Sequence, residues 1–219
     1  MKHRKMVFNF KNFLIYFSGL IVISFAVIMM KKSNVGLSSW DTLHYSITAL
    51  IGVSFGTAAI IVATIFLIFV TIANRHFKYL LMFIPIVFVG FIIDFFDIIV
   101  FKNYLPLLLT SRILTYLIGL VLLPFGGSLL IISTFPAGVF DEAMLAIMRL
   151  LKTNKLVIVR AIMEISAVTV ALIFGFIAGI RFGMISVGTL IFSVTVGIFT
   201  KNYLKLFERV GLYEIEQND

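Results

Sequence analysis

Cysteine is missing from these 219 residues, and with it go disulfides, thiolate metal sites and any cysteine nucleophile. Charge is scarce as well: Asp, Glu, Lys and Arg make up 13% of the chain, against about 25% in a soluble domain. Hydrophobic residues make up 61% and the mean hydropathy is +1.14, which excludes a water-soluble domain. No nucleophile elbow, HExxH helix or phosphate loop occurs, so the residues indicate neither an enzyme nor a bound cofactor. The lack of an ATP-binding motif also excludes a self-contained primary pump.

What charge there is falls between long apolar runs. The net charge of +8 therefore reads as the sorting of a membrane protein, with the lipid bilayer as partner and no nucleic acid. The runs predict six spans at about 13–30, 55–73, 79–100, 113–132, 156–180 and 184–200. The first follows a basic stretch and lacks a small-residue cleavage site, so it is expected to be retained. Pro124 predicts a kink in the fourth. Residues 201–219 read as an amphipathic cytoplasmic tail on the membrane surface, with Leu204, Phe207 and Val210 opposite Lys201, Lys205, Glu208 and Arg209.

Lysine and arginine set an orientation. With the N-terminus inside, one side receives Lys2, Arg4, Lys5, Lys11, Arg75, Lys78, Arg149, Lys152, Lys155, Lys201, Lys205 and Arg209. The other receives Lys31, Lys32, Lys102, Arg112 and Arg181. Twelve against five predicts cytoplasmic termini in the plasma membrane, although Lys31-Lys32 runs against the count.

Two stretches are too short to cross. In GLSSWDTLHYSITALIGVSFGT at 36–57, the helical part at 41–50 would reach about 15 Å, against a hydrocarbon core of about 30 Å. A similar segment recurs around Asp141. Laying residue n on n+100 without a gap matches Leu14 with Leu114, Tyr16 with Tyr116, Gly19 with Gly119, Phe25 with Phe125 and Asp41 with Asp141. With gaps, Gly90 meets Gly197. Each half then holds three spans and one short segment, and an odd number of spans inverts the second half. The expected fold is an all-α membrane protein whose six transmembrane helices form two inverted three-helix repeats, at about 13–100 and 113–200, each with a short non-spanning half-helix.

The polar residues in these segments have two readings each. Asp41 and Asp141 stand where a carboxylate can cap a helix start, and equally where one can line a cavity and bind a cation, a proton or a substrate amine. His44, one turn after Asp41, could share a proton with it; as a metal pair they lack a third ligand. Trp40 reads as an interface-belt residue. Asp94 and Asp97 share a face of the third span but lack the GxGD motif of an intramembrane aspartic protease, and pairing with Lys102 or Arg112 is expected. Arg160 and Glu164, spaced i,i+4 inside the fifth span, can pair as a clamp or serve a binding site. Gly175, Gly179 and Gly183, like Gly52 and Gly56, read as stripes for close helix approach.

The sequence G-L-S-S-W-D-T-L-H at 36–44, followed by G-V-S-F-G-T at 52–57, resembles the first-half signature of the YczE/YyaS/YitT family of bacterial integral membrane proteins. Phe140-Asp141, Arg160 to Glu164 and Gly188-Thr189 resemble its second half, while Pro136-Ala137-Gly138 departs from the glycine-rich turn expected there. The resemblance implies a multi-pass plasma-membrane protein and implies no reaction. Two function classes follow: a small secondary transporter, proton- or ion-coupled, for an unknown small molecule, or a non-transporting membrane protein that recruits or regulates partner proteins. A homo-oligomer is open to either. The candidate substrate- or ion-binding residues are Asp41, His44, Asp141, Arg160 and Glu164.

Overall fold

A computed structural model describes residues 9–133, 135 and 138–212, and these are helical without strands. The basic residues Lys2, Arg4 and Lys5, the Pro136-Ala137 turn and the last part of the expected tail lie outside the described residues.

Local chemistry sets the helix boundaries. The Asn9 side chain accepts from the Lys11 N–H to start α1 (Phe10–Ser33), which ends on Asn34 in the left-handed region at φ 52°. Ser38 starts α2 (Ser39–Ile51), and Gly52 at φ 73° ends it. Ser54 starts α3 (Phe55–Asn74). A 3-10 turn (Phe77–Met82) leads into α4 (Phe83–Asp94), which runs on as a π turn (Phe95–Val100). The second half comprises α5 (Leu109–Ile132), α6 (Val139–Leu150), α7 (Leu156–Ile177) and α8 (Val187–Arg209). The helix α5 continues through Pro124.

Six helices among the described residues are long and apolar enough to cross a membrane: α1, α3, the run Phe77–Val100, α5, α7 and α8. The helices α2 and α6, of 13 and 12 residues, reach only about 20 Å each. The boundaries expected from the sequence agree within a few residues except at the end of the chain. There the expected surface tail from Lys201 continues α8 as far as Arg209.

The central contact is between α1 and α5, which run antiparallel. Gly19 stands against Gly126, and Gly119 against Ala26; an added Cβ would come within 3.0 Å of the Gly126 carbonyl and 2.6 Å of the Ala26 carbonyl. Helices in lipid associate through such van der Waals fit, since the tails outside are as apolar as leucine. Around this seam Ile28, Met30, Phe55, Tyr116 and Leu120 form a buried core. The wholly buried Ser24 and Ser128 hydroxyls donate to the Leu20 and Pro124 carbonyls at 2.9 and 2.8 Å, so neither is left unsatisfied.

Asp94 and Asp97 part company. Asp94 accepts from the Gly56 N–H at 2.7 Å and from the Ser54 hydroxyl at 2.5 Å, completing the start of α3 where the helix dipole favours a negative charge. Gly56 permits this: a Cβ there would lie 2.0 Å from the Gly90 carbonyl. Asp97, carried on the π turn, pairs with Lys31 and, at 3.1 Å, with Lys32. The expected partners Lys102 and Arg112 take neither carboxylate. Arg112 instead donates to the Ser33 carbonyl at 2.9 Å and to that of Asn34, closing the end of α1. Lys31-Lys32 thus has a local counter-ion, which accounts for a basic pair on the otherwise poorer side.

The glycine stripes also divide. The helix α7 stops at Ile177, and Gly179 and Gly183 take positive φ of 77° and 54° in the turn beyond it. Gly56 is therefore a point of helix contact, whereas Gly52, Gly179 and Gly183 are turn residues.

Candidate functional site: a cavity where two short helices meet

The short helix α2 begins with Ser38. Its hydroxyl accepts the Asp41 N–H at 3.2 Å and donates to Asp41 Oδ2 at 2.5 Å. Asp41 is thus not the cap it was expected to be; it sits in the first turn, and the serine caps. The sequence carried that signal in Ser38-x-x-Asp41, a capping pattern. On its other side Asp41 Oδ1 lies 3.4 Å from His44 Nδ1. His44 is buried, packs edge-on to Phe55, and neither ring nitrogen makes a hydrogen bond among the described residues.

The other short helix, α6, starts at Gly138 without a side-chain cap, and Asp141 stands in its first turn. Trp40 and Phe140 join the two helices: their rings stack with centroids 4.2 Å apart and planes 15° off parallel, and Phe66 meets both edge-on. Trp40 therefore faces inward rather than marking an interface belt. The helices flanking α2 reach it at the end where Arg112 closes α1, and those flanking α6 reach it at the opposite end. The two short helices thus approach from opposite ends and meet at their N-termini.

A cavity of about 170 Å³ lies at this meeting point. Ser38, Ser39 and Trp40 come to it from α2, and Phe140, Asp141 and Met144 from α6. From α7 it receives Arg160, Met163 and Glu164, and α5 and α8 add Leu123, Phe192 and Val196. The apolar walls raise the strength of any charge interaction inside. Arg160 Nε meets Glu164 Oε1 at 3.1 Å, with side chains 49% and 26% exposed, so the pair stands open rather than sealed inside a helix interface. Asp141 is exposed to the cavity but enclosed by protein around it. That enclosure holds its carboxyl above the ordinary range, and the Arg160 guanidinium pulls it part of the way back.

Of the five candidate residues, the structure brings Asp141, Arg160 and Glu164 to one cavity. Asp41 and His44 lie behind it, reached through the Ser38 hydroxyl. Phe140, Met163 and Phe192 contribute walls that no polar motif announced. Glu142, also unsuspected, has a buried Oε2 with no partner among the described residues.

Six apolar helices around two short helices define a multi-pass membrane protein. The chain belongs to a family of unknown function, DUF6198, which matches residues 10–205. It is similar to the uncharacterized membrane protein YczE of Bacillus subtilis (strain 168), with 30% identity over 135 residues, 60% of each chain. It thus spans 60% of the length of that relative. It is also similar to the uncharacterized protein YyaS of the same organism, with 27% identity over 200 residues, 90% of this chain and 94% of the relative. No solved structure matches.

Proposed function

We propose that this protein is a small secondary transporter of the plasma membrane, built from two inverted three-helix repeats, with both termini cytoplasmic. The observation that carries the reading is the meeting of two non-spanning helices, by their N-termini, at one cavity that holds charges of both signs. Broken or short helices that approach a midplane site from opposite sides are the usual arrangement of inverted-repeat carriers. The hundred-residue register supports the same conclusion. Trp40 and Phe140 are equivalent in it and stack on each other. The pairs Gly19–Gly126 and Ala26–Gly119 exchange under it.

The cavity would hold a small molecule or ion between Arg160 and the two carboxylates Asp141 and Glu164. Asp141, enclosed and facing the cavity, is the proton carrier in this reading. Ser38 and Asp41 are hydrogen-bonded behind the cavity, with His44 Nδ1 3.4 Å beyond Asp41.

Reconstitution tests the reading. Proteoliposomes loaded with a pH-sensitive dye are given amino acids, small carboxylates and amines in turn under an imposed pH gradient. One class should drive protein-dependent proton movement, and Asp141→Asn should abolish it at unchanged folded yield. Folded, reconstituted protein that moves none of these classes would overturn the proposal and return the chain to the partner-recruiting class.

A further inference from the structure

The geometry points to a second site, which shares Arg160 with the central cavity: a cleft between α7 and α8 that binds a phosphate group. The cleft has a volume of about 380 Å³ and is lined by Arg160 from α7 and by Gly197, Thr200, Lys201, Leu204 and Lys205 from α8. Three cations border it and no carboxylate lines it. Lys201 and Lys205, four residues apart, lie on one helix face, where like charges repel. Among the described residues neither lysine forms an ion pair. Arg160 engages Glu164 through Nε, leaving the rest of its five-donor fork for another acceptor.

The cleft exists because α7 and α8 do not close on each other. Gly197 has nothing within 4 Å of the position its Cβ would take, whereas Gly90, its counterpart in the gapped register, seats against Ile60 and Gly56. A small residue used for contact in one half is thus left beside open space in the other. A phosphate group, with one negative charge as a diester and up to two when free, offers three cations more acceptor oxygens than a single carboxylate does. The cleft lies at the end of α8 remote from Ser186, where spans meet the headgroup layer, so the phosphate can come from an anionic lipid or from solution.

Thermal unfolding of the purified full chain in detergent, at fixed ionic strength, separates the sources. Phosphatidylglycerol, inorganic phosphate and, as control, chloride are each titrated. At least one of the first two should stabilise saturably. The midpoint should weaken about tenfold or more in a Lys201→Gln, Lys205→Gln double variant, persist in the Lys→Arg pair, and be unmoved by Lys102→Gln. A response to phosphatidylglycerol alone identifies a lipid headgroup, and a response to phosphate, with or without the lipid, identifies the phosphate group itself. A second readout needs no variant: the effective ligand should protect Lys201 and Lys205 of the unaltered chain from an amine-reactive reagent. Absence of any saturable response, a response that survives the double Gln change, or failure of protection overturns the proposal. No flux is measured, so this site stands or falls separately from transport.

Discussion

Breaking the Arg160–Glu164 pair tests whether these charges hold helices together or serve the cavity. A charge pair sealed in a low-dielectric interior costs about 3–5 kcal/mol when one partner is removed, because the other is stranded. The structure argues for a far smaller figure. The pair is i,i+4 on one helix, and its side chains are 49% and 26% exposed. Such pairs contribute about 0.3–0.5 kcal/mol. For a chain of this size that is a melting shift of about 1–2 °C. Glu164→Gln, Arg160→Gln and the double change should therefore all fold in detergent with melting temperatures near the parent, measured by scanning fluorimetry on monodisperse protein. In proteoliposomes Arg160→Gln should lose flux outright, because it leaves Asp141 and Glu164 facing the cavity without their cation. The reasoning fails if either single change lowers the melting temperature by roughly 10 °C or more and the double change restores it, since that pattern belongs to a buried clamp.

Three further outcomes are expected. Asp97→Asn strands Lys31 and Lys32, whose side chains are 18% and 17% exposed; it should destabilise the fold by about 3 kcal/mol, and adding Lys31→Gln and Lys32→Gln should recover part of that in the same melting assay. Asp141 titrates above the ordinary carboxylate range when folded, so the folded state binds the extra proton between the two values. Stability from this group is therefore greatest at acid pH and falls as pH rises through the raised value; Asp141→Asn should flatten that slope, and Arg160→Gln should move it upward. Finally, cysteines introduced singly at Asn34 and Asn154 should differ in reaction with an impermeant reagent on intact cells, Asn34→Cys reacting and Asn154→Cys not. Equal labelling would sink the inverted topology.

The spans were legible because apolar runs bounded by charge carry their own length scale, and the short segments because they fall below it. Asp141, Arg160 and Glu164 stood out as candidates because a charge among apolar neighbours is costly wherever it stands, and the structure places all three at one cavity. Partners were not legible. Spacing gave Asp94 and Asp97 one shared face, but the π turn that begins at Phe95 changes the helical step, and their carboxylates go to different helices. Spacing likewise grouped Gly175, Gly179 and Gly183, although α7 ends between the first and the second. Asp41 was matched to Asp141 by register, yet one is buried against Ser38 and His44 and the other opens on the cavity, a difference decided by tertiary packing.

The polar ties between helices are unevenly distributed. At the end where α1 stops, Lys31 and Lys32 hold Asp97, Arg112 holds the last carbonyls of α1, and Tyr104 meets Thr115. There too Ser186 bonds Val35, and Tyr116 bonds Gly188. At the other end, Tyr203 donates to the Val121 carbonyl at 3.2 Å, and α7 stands apart from α8. Mechanically the bundle is a clothes-peg with its spring at one end. A thermal fluctuation that tilts α8 breaks the Ser186–Val35 and Tyr116–Gly188 hydrogen bonds if it pivots at the open end and spares them if it pivots at the tied end. The compliant direction of the molecule is therefore written into the hydrogen bonds at the start of α8, and it opens toward Arg160.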